Sequence, residues 1–231
     1  MRETLDRGLP LVGVSPDAIA ALEHFSALLA EKNKVMNLTG ITEPREVATL
    51  HLLDSLSLLP MAELAGKKLV DVGTGAGFPG VPLAIALPDS HVTLLDSLNK
   101  RIEFLRESCM TIGLTNVDCV HGRAEEFAAD HRESYDFAVS RAVASLPVLC
   151  ELCLPLVKVG GQFLAMKSSH TEEEIAQAKS AIGKLGGRIE EVVDYTIPTT
   201  DVTHRVVRIK KLSPTPRKYP RRFAQIKKQP L

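Results

Sequence analysis

The chain has 231 residues, 45% hydrophobic and 24% charged; that composition excludes a disordered or fibrous protein and suits one α/β domain with a small appendage. Trp is absent and aromatics are 4%, so the core is built mainly from Leu, Val, Ile and Ala. The formal net charge of zero hides an asymmetry: Val202–Leu231 carries ten Lys or Arg and no acid, while the first 201 residues carry 18 basic against 28 acidic, a pattern that predicts a polyanion partner.

Residues 1–66 read as a helical N-terminal region. Ser15 caps a helix opening on Pro16, and Ile19, Leu22, Phe25 and Leu29 fall on one face at helical spacing. The polar loop Asn33–Ile41 contains Asn37-Leu38-Thr39-Gly40. Thr42 is the expected cap of the next helix, with Glu43 and Glu46 in its first turn. His51, Asp54 and Ser55 share a face of that helix, and Pro60 closes it.

From Lys67 the period changes. Strands are predicted at Lys68–Val72, His91–Asp96, Val117–Val120, Asp136–Ser140 and Gln162–Lys167. They alternate with helices at Pro79–Leu87, Asn99–Ile112, Ser145–Val157 and Glu172–Leu185, which gives a parallel sheet covered on both faces. Ile189–Tyr195 and His204–Leu212 follow each other with no helix between, and are expected to pair antiparallel at the sheet edge. The α/β domain spans 67–212. A basic C-terminal arm, 213–231, contains four prolines and is expected to be extended and disordered unless RNA or the body pins it.

No apolar run approaches the ~18 residues of a membrane span. Glu3 and Asp6 stand where a signal peptide has positive charge. A cytoplasmic protein with no membrane partner is expected. In that compartment Cys109, Cys119, Cys150 and Cys153 make no disulfide framework. Cys150 and Cys153 have the spacing of a metal or redox pair, but no second pair exists and the segment reads as an apolar helix, so buried thiols are expected. His24, His91, His121, His131, His170 and His204 show no ligand spacing, and no metal is assigned.

The chemistry-bearing segment is Leu69-Val-Asp-Val-Gly-Thr-Gly-Ala-Gly-Phe-Pro-Gly80. Four glycines, at 73, 75, 77 and 80, lie between a strand and a helix, at the carboxyl end of the first strand, where open α/β sheets bind ligands. Two readings compete. Gly75–Gly80 has dinucleotide-type spacing and points to an NAD-linked oxidoreductase. Asp71–Gly77 has the acidic-x-Gly-x-Gly-x-Gly form of S-adenosylmethionine (SAM) binding. Asp96, ending the second strand, can accept ribose hydroxyls in either. Asp71 discriminates: a carboxylate beside the first glycine suits a ligand carrying ammonium and sulfonium and repels a pyrophosphate. The turn Gly122–Glu126, after the third strand, offers Ala124 and Glu125 to an adenine edge.

Asn37-Leu-Thr-Gly-Ile41, His51 with Asp54-Ser55, Val70–Gly80, Ser140-Arg-Ala142 and Tyr219-Pro-Arg-Arg222 resemble the bacterial small-subunit rRNA guanine-N7 methyltransferases, also called the glucose-inhibited division protein B family. The resemblance runs over nearly the whole chain. It implies a Rossmann-like SAM-dependent methyltransferase sheet, mostly parallel with an antiparallel final strand. The implied reaction is methyl transfer from SAM to N7 of one guanine in the 16S rRNA of the small ribosomal subunit. By the resemblance Gly73, Phe78, Ala124 and Glu125 would bind SAM, and Arg141 would lie near the methyl-transfer site and the cofactor; Gly75 of the glycine loop and Asp96 join the cofactor set. Lys167 matches a lysine after the fifth strand. Ser168 departs from the usual glycine, and Phe223-Ala-Gln-Ile226 replaces a Gly- and Pro-containing stretch.

Guanine N7 has a free lone pair, so the reaction needs placement more than a base. Asn37, His51 and Asp54 are expected to shape the guanine pocket, with Arg141 orienting purine or phosphate. A monomer is expected. Removing Pro214–Leu231 is expected to weaken RNA binding without changing SAM affinity.

Overall fold

The computed structural model describes residues 1–231. The first helices are α1 (Arg2–Gly8), α2 (Ile19–Met36), α3 (Pro44–Glu46) and α4 (Asp54–Leu56), with a π-helical segment, Val47–Leu53, joining the last two. Ser15 caps as expected, its hydroxyl accepting from Asp17 N, ahead of Pro16. Thr42 does not cap α3. Pro44 forces the residue before it into extended backbone, so Glu43 is the cap and its carboxylate accepts from Glu46 N at 2.9 Å.

The α/β part runs β1 (Lys68–Val72), α5 (Gly80–Ala86), β2 (His91–Asp96), α6 (Asn99–Thr111), β3 (Val117–His121), α7 (Ala124–Asp130), β4 (Tyr135–Arg141) and α8 (Leu146–Cys153). It continues through β5 (Val157–Ser168), α9 (Glu172–Lys184), β6 (Gly187–Thr196), β7 (Thr203–Lys211) and α10 (Phe223–Lys228). The seven strands form one sheet in the order β3-β2-β1-β4-β5-β7-β6. All pairs from β3 to β5 are parallel, and β7 is antiparallel to both neighbours. The two final strands thus pair as expected, with β7 inserted inside the edge.

Three local readings are corrected. The Gly122–Glu126 turn is the start of a helix, α7, with Glu125 and Glu126 in its first turn, where the dipole favours acid. The helix predicted to reach Val157 stops at Cys153, continues as one 3-10 turn with Pro155, and becomes strand at Val157. Gly160-Gly161 lie inside β5 at a register shift opposite β4, so the glycines make a bulge.

Two apolar clusters flank the sheet. On one face Leu22, Phe25 and Leu52 of the N-terminal helices join Leu94, Leu164 and Val206 of the strands. On the other, α8 and α9 pack on Val70, Phe163 and Val207, together with Tyr219 and Ile226 from the C-terminal arm.

The arm is held by the body. Arg132 donates to the carbonyls of Thr215, Pro216 and Tyr219. Arg221 grips Glu151, fully buried in α8, through its backbone N at 2.9 Å, Nε at 2.8 Å and Nη2 at 2.6 Å. Such a buried pair needs every lone pair met, and Glu151 sits between Cys150 and Cys153, whose thiols burial pushes far up. Four of the ten basic residues are neutralised: Arg205 by Asp194 and Glu172, Arg208 by Glu190 and Glu191, Lys211 by Glu133, and Arg221 by Glu151. The free basic surface is smaller than the composition suggests.

Candidate active site

At the carboxyl ends of β1, β2 and β4 the glycine-rich turn opens into a cavity of about 500 Å³, within the range of small-ligand pockets. The turn depends on glycine at Gly75, whose φ is +60°, and whose N–H donates to Asp96 Oδ2 at 3.0 Å. At Gly80 a Cβ would meet Asp71 Oδ2 at 2.7 Å. That close approach exists because Gly80 N donates to Asp71 Oδ2 at 2.8 Å.

Asp71 therefore does not line the cavity. It is fully buried behind the turn, and Oδ1 and the nearby Thr74 hydroxyl have no hydrogen-bond partner. Burial pushes its carboxyl up to about 6, opposed by the Gly80 N–H. Its charge lies one layer behind the turn and holds the turn on the sheet through Gly80 N.

Asp96 does line the cavity, at 4% exposure. Its Oδ1 accepts from Leu98 N at 2.9 Å, and Oδ2 from Gly75 N and Arg101 Nη1. Three of about four acceptor sites are used, which leaves a lone pair on Oδ1 for a ribose hydroxyl. Gly73, Phe78, Ala124 and Glu125 also line the cavity. Glu125 accepts from Arg123 Nε at 2.6 Å.

Arg141, at the end of β4, forms the opposite wall. Its Nη1 donates to Asp54 Oδ2 at 2.8 Å and to Leu50 O at 2.9 Å, and its Nη2 to His51 Nδ1 at 3.1 Å. Three of its five N–H groups are thus committed and two are free. With Nδ1 accepting, His51 Nε2 donates to Thr39 Oγ1 at 2.8 Å. Burial, then Arg141, lowers the His51 pKa to about 4, so the ring is neutral. It stacks on Phe78 with centroids 4.4 Å apart, and the Arg141 guanidinium lies 5.1 Å from the same ring's centroid.

Asp54 is fully buried. Burial pushes its carboxyl up, but His204, Arg141 and Tyr195 outweigh it and hold it below the ordinary value. Tyr195 OH and His204 Nδ1 meet Asp54 Oδ1 at 2.7 and 2.9 Å. Tyr195 and His204 pair in register across β6 and β7, so both reach the same carboxylate. Ser55 donates to His51 O and stays in the backbone of its own helix.

The structure thus unites Gly73, Gly75, Phe78, Asp96, Ala124, Glu125, His51 and Arg141 around one cavity, with Asp54 directly behind Arg141. Asn37 falls outside the lining. Its left-handed backbone (φ 49°) makes it the C-cap of α2, a role Asn tolerates well; its neighbours Leu38 and Thr39 reach the cavity instead. Lys167 points away, donating to Ala144 O at 2.7 Å and Glu174 Oε1 at 2.8 Å. Sequence reasoning missed Thr39, Tyr195, His204 and Phe223. No local sequence signal marks Tyr195 and His204, which reach Asp54 from the last two strands. Phe223 has no local sequence signal, because the path of the arm is set by Arg132 and Glu151 far away in the chain.

The sequence profile of GidB, described as rRNA small subunit methyltransferase G, matches residues 18–203. A ribosomal RNA small subunit methyltransferase G from Alkaliphilus oremlandii is 49% identical over 95% of this chain and 93% of its own. One from Acetivibrio thermocellus is 45% identical over 100% of this chain and 97% of its own. Among solved structures, a SAM-dependent methyltransferase from Aquifex aeolicus superposes with a TM-score of 0.55 at 18% identity, covering 78% of this chain and 97% of its own. TrmN from Thermus thermophilus gives 0.54 at 21% identity, covering 68% of this chain and 48% of its own. These two show the fold. The chain belongs to the rRNA small subunit methyltransferase G (GidB) family and is a SAM-dependent methyltransferase.

Proposed function

We propose that the chain transfers the methyl group of SAM to N7 of a guanine in 16S rRNA. The observation that carries this reading is Arg141. It closes the wall of the glycine-turn cavity opposite Asp96, fixed by Asp54, Leu50 and His51, yet with two N–H donors free. A guanine seated there would offer O6 to those donors. The usual arginine–guanine pair takes O6 and N7 together, but here N7 must keep its lone pair for the methyl group. Arg141 is therefore read as a monodentate clamp on O6.

SAM, when bound, supplies an electrophilic methyl group on a sulfonium. The Asp96 lone pair would hold the ribose, Ala124 and Glu125 the adenine edge, and the Gly73–Phe78 turn the methionine end. The buried Asp71 carboxylate fits such a ligand, because a cation in the cavity offsets the cost of ionising it. Neutral His51 and Phe78 make an apolar stack that can flank a purine and exclude water. Transfer would form the N7–methyl bond as the sulfur–methyl bond breaks, and the positive charge would pass from sulfur to the purine. The Asp54 carboxylate behind Arg141 screens that developing charge from the guanidinium.

The exposed Arg217, Lys218, Arg222, Lys227 and Lys228 have no carboxylate within 4.0 Å and would grip RNA phosphates. One chain supplies both walls of the cavity, which supports a monomeric enzyme, and a ribosomal substrate fits a cytoplasmic one. No helix is long and apolar enough to cross a membrane. The NAD-linked alternative loses its ground with the family membership.

The test offers labelled methyl-SAM with small ribosomal subunits lacking the modification, beside total tRNA and a protein extract. Label confined to small-subunit rRNA is the expected result. Label in tRNA or protein would overturn the substrate.

A further inference from the structure

The helix α10 has three surfaces. Ile226 is fully buried in the cluster beneath α8. Arg222, Lys227 and Lys228 are exposed. Phe223 points inward and lines the cavity. The Arg123 guanidinium lies 4.7 Å from the centroid of the Phe223 ring, and Arg123 is itself bonded to Glu125. Phe223 thus backs the Arg123–Glu125 pair at the side of the cavity where the adenine edge is placed. Lys227 stands four residues after Phe223, one turn along the same helix surface.

The segment is firmly based. Arg221, directly before it, is clamped on the buried Glu151, and Arg132 holds the chain upstream. A force on Arg222 or Lys227 therefore bears on Phe223, its sequence or helix-surface neighbour. The stretch Phe223-Ala-Gln-Ile226 supplies both the ring in the cavity and the apolar anchor.

We infer that α10 couples the two ligands: Phe223 forms part of the cofactor wall, and phosphates held by the cations of the same helix fix that wall, so that SAM and RNA each bind more tightly in the presence of the other. This rests on the SAM and rRNA reading above. Phosphates bound to Arg222 and Lys227 hold Phe223 against the Arg123–Glu125 pair before the cofactor arrives, and a cofactor packed on Phe223 holds the two cations in place for the RNA. The factor must be equal in both directions.

The test uses S-adenosylhomocysteine, which binds without turnover, and a naked small-subunit rRNA fragment. Calorimetry gives cofactor affinity with and without saturating RNA, and fluorescence anisotropy gives RNA affinity with and without cofactor. For the wild type, both affinities should rise by a common factor, roughly fivefold or more. Phe223→Ala should bind the cofactor roughly threefold to tenfold more weakly, from loss of the ring and its cation contact, and the mutual enhancement should vanish. Phe223→Leu keeps an apolar filler and guards against a folding defect. It should melt like the wild type and still lose most of the enhancement. Cofactor binding by both variants equal to wild type, or a wild type with no mutual enhancement, overturns the inference. A wild type that binds no cofactor overturns the underlying reading and the inference with it.

Discussion

Arg141 Nη1 lies 2.8 Å from Oδ2 of Asp54, 87 positions earlier in the chain, joining the end of β4 to the start of α4, just after the π-helical segment that carries His51. The guanidinium is 14% exposed and the carboxylate not at all. Removing one partner of so buried a pair leaves the other charge uncompensated. Asp54→Ala should therefore destabilise the protein by about 3–5 kcal/mol and abolish methyl transfer, since Arg141 also loses its orientation. Asp54→Asn, which keeps the shape and an acceptor oxygen, should fall between. Thermal melts with turnover assays check both.

Asp71 and Asp54 titrate in opposite senses. Asp71 is raised from 3.8 to about 6, so the unfolded chain releases its proton first. Between those values stability from this group falls as pH rises, by on the order of 3 kcal/mol in total. Asp54 is held below 3.8. Its contribution is complete above that value and is lost as pH falls through the folded one. Because a bound cation favours the ionised Asp71, SAM affinity should increase from pH 5 to pH 7 and flatten in Asp71→Asn. Calorimetric titrations across that range decide it.

Asp96 holds Gly75 N, Leu98 N and Arg101 at once. Asp96→Ala frees the turn and removes the ribose acceptor. Hydrogen bonds to a charged group are worth about 1.5–3 kcal/mol, so SAM affinity should drop roughly 10- to 100-fold while rRNA affinity in the absence of SAM stays near wild type.

The arm reverses an expectation. The composition of 213–231 suggested an arm disordered unless RNA or the body pins it, whose removal would weaken RNA binding and leave SAM affinity unchanged. The structure buries Tyr219 and Ile226 and puts Phe223 in the cavity. Deletion of Pro214–Leu231 should lower the melting temperature and SAM affinity together with RNA affinity. Unchanged SAM binding after truncation would contradict the packing described here.

The sheet was legible because its strands are short apolar runs punctuated by glycine and helix signals. Lys68–Val72 and His91–Asp96 form as predicted. The cavity end of β1 was legible because four glycines in eight residues have few other uses. What failed was long-range. The motif around Asp71 is legible, but its bond to Gly80 N is not. Tyr195 and His204 meet Asp54 from more than 140 positions away, and no local period carries that information. The arm misled because charge and proline describe its surface, whereas Glu151 in α8 decides its path.

The most direct test of the account is chain cleavage at the methylated base in small-subunit rRNA treated with SAM and enzyme, since 7-methylguanine labilises its glycosidic bond. The wild type should give cleavage at a single guanine. Arg141→Ala, at a SAM concentration that fills its site, should give none. Methyl incorporation without cleavage, or equal cleavage by Arg141→Ala, would contradict N7 transfer at the Arg141 wall.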